Sequence, residues 1–229
     1  MYSSGGFILK LDNSGNFIWA KKIDIFFAGD FNGELMKTDN DGNIYIHANF
    51  FGTVDFDPGQ GVFNLTADNI DCVILKLNSS GNLVWARKIS SSSLVYRSSI
   101  AVDRNRNVYT TGYFQDILNV DPDESDFLLN SANGFNSYIL KHDSNGNFKW
   151  AKQIEGNDNN VSNSLTTDEF GNVIITGYFE GSTNFDSGNT NYSLVSLGLS
   201  DAFTCKLDSI GNFKWAKQIG GLGYVCKNR

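Results

Sequence analysis

The run Gly15-Asn16-Phe17-Ile18-Trp19-Ala20-Lys21-Lys22-Ile23 returns three times in this chain of 229 residues, as GNLVWARKI at 81–89, GNFKWAKQI at 146–154 and GNFKWAKQI at 211–219. Trp19, Trp85, Trp150 and Trp215 are all the tryptophans present, and they stand 66, 65 and 65 residues apart. A unit of this size that recurs in tandem buries its apolar surface against its neighbours, so the fold must be one that stacks. The four copies also set a rule for reading function. A residue present in every copy serves the scaffold, whereas a single site needs residues that break the repeat.

Within each unit the tryptophan strand follows a second strand: 7–11 (FILKL), 73–77 (VILKL), 138–142 (YILKH) or 203–207 (FTCKL). The two are joined by segments such as 12–16 (DNSGN), with glycine where a hairpin turn needs positive φ. A variable connection and a further hairpin follow, its second arm reading IYIHANF, VYTTGYF or VIITGYF. Alternate residues of these arms are apolar or aromatic on both faces, as expected of a sheet packed between two others. Only 2 prolines but 23 glycines agree with many short strands and tight turns.

Four antiparallel strands per unit of about 65 residues predict an all-β fold of β-propeller blades. Tandem sandwiches need more residues per unit, and a β-helix coil far fewer. One repeat domain is expected: the outer half of a blade at 5–23, blades at 35–89, 99–154 and 164–219, and a non-repeat tail at 220–229. The arc is expected to be a fragment, open at both ends. Its edges would then be covered by missing blades of a parent protein or by self-association. Segments 52–65, 117–129 and 182–195 are expected to form hairpin excursions beyond the blades.

The succession Gly-Tyr-Phe at 112–114, Asp-Phe-Asp-Pro-Gly at 55–59, Leu-Lys-Leu at 75–77 and Trp-Ala-Lys-Gln-Ile at 150–154 resembles the bacterial β-propeller repeat called SBBP, and more distantly NHL-type repeats. The resemblance runs over roughly residues 5 to 220. It implies a secreted or surface-attached bacterial parent of many repeats, and it carries no common catalytic motif.

The net charge of -7, without a run of Lys or Arg, argues against a nucleic-acid partner. No apolar stretch approaches the roughly 20 residues that span a bilayer, and residues 1–6 do not read as a signal peptide. Cys72, Cys205 and Cys226 have no metal-ligand spacing, and Cys72 and Cys205 read as small core side chains.

Candidate sites are each weighed against a structural role. The tryptophans read as packing between blades rather than as exposed rings for sugars. Lys10, Lys76, Lys141 and Lys206 are expected to lay their stems along the blade and meet Asp39, Asp103 or Asp168. Asp39 and Asp41 resemble the start of a Ca²⁺ loop, but no bidentate Glu follows, and the same residues serve tight turns, so no cofactor is expected, with a weak Ca²⁺ site at Asp39 and Asp41 as the alternative. Asp55 with Asp57 and Asp121 with Asp123 could be drawn as acid/base pairs, yet they recur and suit loop capping. His47 and His142 break the repeat in different strands, and Arg104 and Arg106 interrupt a turn and read as solvated.

Function is more often carried by variable loops over a rigid scaffold. Phe26, Phe27, Phe31, Tyr96 and Arg97, on the connections between blades, are therefore the ligand-contact candidates. The reading that follows is a non-catalytic module presenting a loop-rich face to a protein or glycan. Its alternatives are part of a polysaccharide-acting enzyme whose active site lies outside this chain, and a purely structural spacer.

Overall fold

The computed structural model describes residues 6–23, 35–122, 126–186 and 190–223, and among them there are strands and turns but no helix. Strands β1 (Gly6–Leu11) and β2 (Phe17–Ile23) form a hairpin. Strands β3 (Met36–Thr38), β4 (Ile44–Asp55), β5 (Asn64–Leu77) and β6 (Leu83–Ser91) form the first antiparallel meander. Strands β7 (Val95–Val102), β8 (Val108–Asn119), β9 (Leu128–His142) and β10 (Phe148–Gly156) form the second. In the third, β11 (Asn160–Thr167) and β12 (Val173–Phe179) lead through the small hairpin of β13 (Ser182–Asn184) and β14 (Ser193–Val195) to β15 (Asp201–Leu207) and β16 (Phe213–Ile219). Each meander is a propeller blade, and the blades with the leading hairpin make an open arc.

One turn design shapes all the tight links. At 12–16, 39–43, 78–82, 103–107, 143–147, 168–172 and 208–212, the first residue's Oδ1 accepts the backbone N–H groups two and four residues on. The backbone N–H of the fourth residue donates to the first carbonyl. That fourth residue is Gly in six turns, at φ of 74° to 85°, and Arg106 at φ 63° in the other. Only glycine adopts this left-handed conformation without cost, so the recurring Gly-Asn is turn chemistry.

A second glycine position has a different cause. Strand β7 bulges beside Arg97, opposite Gly112, and β11 bulges beside Ser162, opposite Gly177. The bulge drives the carbonyl of Tyr96 onto Gly112 and that of Val161 onto Gly177, where a Cβ would lie 2.0 Å from the oxygen. No other residue fits there.

The apolar cores lie between blades. One joins the β1–β2 hairpin to the first blade through Ile8, Ile23, Leu75 and Leu77. Another joins the first and second through Ile74, Trp85, Ile89 and Leu140, and a third joins the second and third through Ile139, Ile154, Cys205 and Leu207. On the tight-turn side each core is closed by a repeated clamp. Trp19 Nε1 and Lys10 Nζ donate to the Ser79 carbonyl at 3.4 and 2.6 Å. Trp85 and Lys76 do the same to Ser144, both at 3.2 Å, and Trp150 and Lys141 to Ser209 at 3.3 and 2.7 Å. The indoles lie flush on Gly81, Gly146 and Gly211, so that a Cβ at those glycines would sit 2.7 to 3.1 Å from ring carbons. The expected Lys–Asp partnership is thus corrected: three of the four lysines end on the next blade's turn, and Lys206 alone bonds its own blade's Asp168, at 2.9 Å.

On the opposite side the excursions reach backwards. The outer end of β8 pairs with β6 at Ser90 and Ser91, and β13 pairs with β10 at Glu155 and Gly156. The last strand of one blade is thereby tied to the hairpin of the next. Asp71, Asn136 and Asp201 add a repeated side-chain anchor that the sequence pattern did not bring out. Asp71 and Asn136 accept the backbone N–H of Ser91 and Gly156 at the end of the outermost strand, while Asp201 accepts from Gln218.

Trp85, 5% exposed, and Trp215, 37% exposed, separate the clamp from the residue type. Trp85→Ala is expected to lower unfolding free energy by about 3–5 kcal/mol, as for other buried tryptophans. Trp215→Ala should cost about 1 kcal/mol or less in the same urea titration at low protein concentration. Equal losses would show that the clamp contributes nothing.

Candidate functional site

All the tight turns point to one side of the arc, and the links at 92–94 and 157–159, with the excursions, point to the other. On this loop-bearing side the second blade assembles three aromatic rings. Tyr96 and Tyr113 are cross-strand partners in β7 and β8, and their rings stack at 4.9 Å with 24° between planes. Phe135 of β9 meets both edge-on, at 6.0 Å from Tyr96 and 5.4 Å from Tyr113. All three are half-buried.

The ring of Phe135 is set by a backbone irregularity. The β8–β9 register shifts between Phe114 and Asp116, with Asp116 and Gly134 both at positive φ. The freed Phe135 N–H donates to Asn159 Oδ1 at 3.0 Å, and Asn159 Nδ2 donates to Glu180 at 2.9 Å. The cluster thus has an apolar floor and a rim of amide and carboxylate contributed by the link into the third blade and by the residue that follows its second strand.

The equivalent positions do not reproduce it. Tyr96 corresponds to Val161, Phe135 to Ile70 and Ser200, and Tyr113 to Asn49 and Tyr178. The cluster is a symmetry breaker of the kind a specific site requires, made from residues that differ mildly in each strand.

Beneath it a buried polar bridge joins the first and second blades. Arg97 Nη1 donates to Asn49 Oδ1 at 2.9 Å, and Asn49 Nδ2 donates to the Val95 carbonyl at 3.1 Å and to Cys72 Sγ at 3.2 Å. His47 Nε2 lies 3.2 Å from the Tyr138 hydroxyl. Burial pushes the Cys72 thiol up to about 12 against the Arg97 charge, and it pushes the His47 imidazole down to about 3 with that charge adding to the effect. Burial likewise raises the Cys205 thiol to about 12. These groups are neutral at pH 7 and without access to solvent, the condition of packing groups rather than nucleophiles.

The sequence candidates divide accordingly. Tyr96 lies in the aromatic cluster. Arg97, proposed as a contact, is buried by the bond to Asn49 and is an inter-blade tie. Phe26, Phe27 and Phe31 lie outside the described residues, as do Asp123 and Cys226. Tyr113 and Phe135 were missed because aromatics on strands read as core; only their mismatch across the repeats could have marked them.

Among the carboxylates, Asp39 receives two backbone N–H groups, the Asn43 amide and the Tyr45 hydroxyl, and Asp41 pairs with Arg106. Arg106 is exposed, as expected, and also links its turn to the turn at 39–43 through Asp39 and Asp41. Asp55 accepts the N–H groups of Asp57 and Phe63, and Asp57 that of Gly59, so both cap the excursion. Asp55 corresponds structurally to Asn119 and Asp57 to Asp121, since Val120 bonds Phe127 as Phe56 bonds Phe63. The Asp121–Asp123 pairing therefore stands two residues out of register with Asp55–Asp57. No cluster of three metal-ligating side chains occurs among the described residues.

Comparison with known proteins agrees with this architecture. A family model described as a β-propeller repeat, SBBP, matches residues 84–113, which run from β6 through β7 into β8. The chain is 33% identical over 237 aligned positions to an uncharacterized WD repeat-containing protein of Acanthamoeba polyphaga mimivirus. That alignment covers 90% of this chain and 17% of the viral protein's length. Together they support a propeller-repeat family. No helix among the described residues is long and apolar enough to cross a membrane.

The buried histidines give a pH test. Burial lowers His142 to about 4, with the Arg87 charge adding to the effect, and His47 to about 3. The unfolded chain takes up these protons near pH 6.5 and the folded chain does not, so stability is lost as pH falls from 6.5 towards 4. Each histidine supplies a slope approaching about 1.4 kcal/mol per pH unit. Asp71, raised by burial, acts in the opposite sense. His142→Leu, the residue in the three other copies, should fold and remove about half the slope in urea titrations between pH 6.5 and 4.5. An unchanged slope would exclude His142 as a source.

Proposed function

We propose that this chain is a non-catalytic binding module that presents the loop-bearing face of its central blade to another protein. The observation that carries this is the cluster of Tyr96, Tyr113 and Phe135, rigid rings gathered at one place in an otherwise repeated scaffold. Such rings provide large contact area at low entropic cost, and a polar rim of Asn159 and Glu180 would orient a ligand by hydrogen bonds.

The WD repeat-containing relative suggests a protein-interaction role. A glycan is the second reading, since the same rings could stack on a sugar. The secreted or surface setting is retained from the SBBP resemblance alone. A bacterial parent is not carried forward, because the relative is viral.

The test uses the whole chain, immobilised, with extracts of its source cells. Proteins retained by the wild type should fall at least tenfold with Tyr96→Ala/Phe135→Ala, while Phe170→Ala on a tight turn leaves retention unchanged. Circular dichroism checks the fold of each variant. Retention that is insensitive to the aromatic pair would overturn the assignment, and binding confined to a glycan array would move the ligand to the second reading.

A further inference from the structure

The clamp between successive blades has two halves, and among the described residues one copy of each is unused. The receiving half is a Lys–Trp pair with an isoleucine at the end of the tryptophan strand. The entering half is the next hairpin's tight turn, whose carbonyl two residues before the glycine accepts the clamp, and the apolar face of its first strand. Three such joints are made within the chain, and in them Ile23, Ile89 and Ile154 are buried, as are Val73, Leu75, Leu77, Leu140 and Leu207.

On the outer face of β15 and β16 the receiving half stands open. Trp215 is 37% exposed and Ile219 70% exposed, and Lys206 has fallen back to Asp168. At the other end of the arc the entering half is bare. Gly15 has no neighbour where Gly81, Gly146 and Gly211 each meet an indole. Phe7, Leu9 and Leu11, equivalent to the buried Val73, Leu75 and Leu77, are all exposed.

We propose that the outer face of β15 and β16 receives the β1–β2 hairpin of a second copy of this chain, head to tail. Trp215 Nε1 and Lys206 Nζ would donate to the partner's Asn13 carbonyl, with the indole on Gly15 and Ile219 against Leu9 and Leu11. Asn13 stands two residues before Gly15, as Ser79, Ser144 and Ser209 stand before Gly81, Gly146 and Gly211. The occupant follows from complementarity already realised at three joints, and both halves are present on one chain. The contact is heterologous, so it propagates unless the rotation closes. Two copies joined at both ends bring together eight outer hairpins, four from each. That number lies within the roughly four to eight blades at which propellers close, so a closed dimer is the expected product. This surface is separate from the loop-bearing face, and either proposal can fail alone.

Analytical ultracentrifugation of the 229-residue chain should show a concentration-dependent dimer. Trp215→Ala and Leu9→Glu, both at solvent-exposed positions, should each be folded by circular dichroism and monomeric. Mixed together, they should form a one-to-one heterodimer, because the intact Trp215 face of one meets the intact hairpin of the other. A wild-type chain that stays monomeric overturns the second copy as occupant and leaves the face to a neighbouring repeat of a longer chain. Variants that still self-associate, or a mixture that stays monomeric, overturn the head-to-tail geometry.

Discussion

The structure depends on a small contact: an indole N–H and a lysine ammonium sharing one backbone carbonyl of the next blade's turn. A blade is too thin to bury anything alone, so its stability must come from its faces. The apolar faces are not directional and would tolerate sliding. The clamp supplies direction, because a carbonyl presented by a tight turn has one position, and glycine beneath the indole admits the ring only there. The lysine stem adds packing, and Lys76 and Lys141 lie over the rings of Tyr45 and Tyr109 at 5.1 and 5.0 Å.

The clamp explains why the turns are built as they are. The Asx carboxylate satisfies the turn's own N–H groups and leaves the serine carbonyl free to accept from the neighbour. Where the carboxylate also meets a lysine, as Asp143 meets Lys149 and Asp208 meets Lys214, burial would raise it but the hydrogen bonds prevail, and Asp208 is held down to about 2. On the far side the excursions perform the complementary task. They extend the ladder of one blade's last strand into the next, so that each joint is pinned at both ends and the apolar core lies between.

Much of this was legible because it repeats. Hairpins, blade size and the interfacial tryptophans follow from a 65-residue period and alternation on both strand faces. The lysine partner was misread for a physical reason. Asp39 and Asp103 do act on Lys76 and Lys141 through space, but the hydrogen bond goes to a backbone carbonyl, which has no signature in sequence. The backward reach of the excursions is likewise a backbone pairing between units. Arg97 reads as a ligand contact in the sequence because it lies on a connection between blades; the bulge in β7 and the amide of Asn49 turn it inward.

The aromatic cluster shows why function in such a chain is tied to the array. Tyr96 and Tyr113 lie on the central blade, but the strand beneath them is tied to the first blade by Arg97 and Asn49. Phe135 is held by Asn159, whose position comes from the link into the third blade, and Asn159 is held by Glu180. A single blade would carry the same side chains without their arrangement. The repeat therefore contributes more than bulk: symmetrical joints fix the blades, and a few unsymmetrical residues at those joints set one face apart from the others.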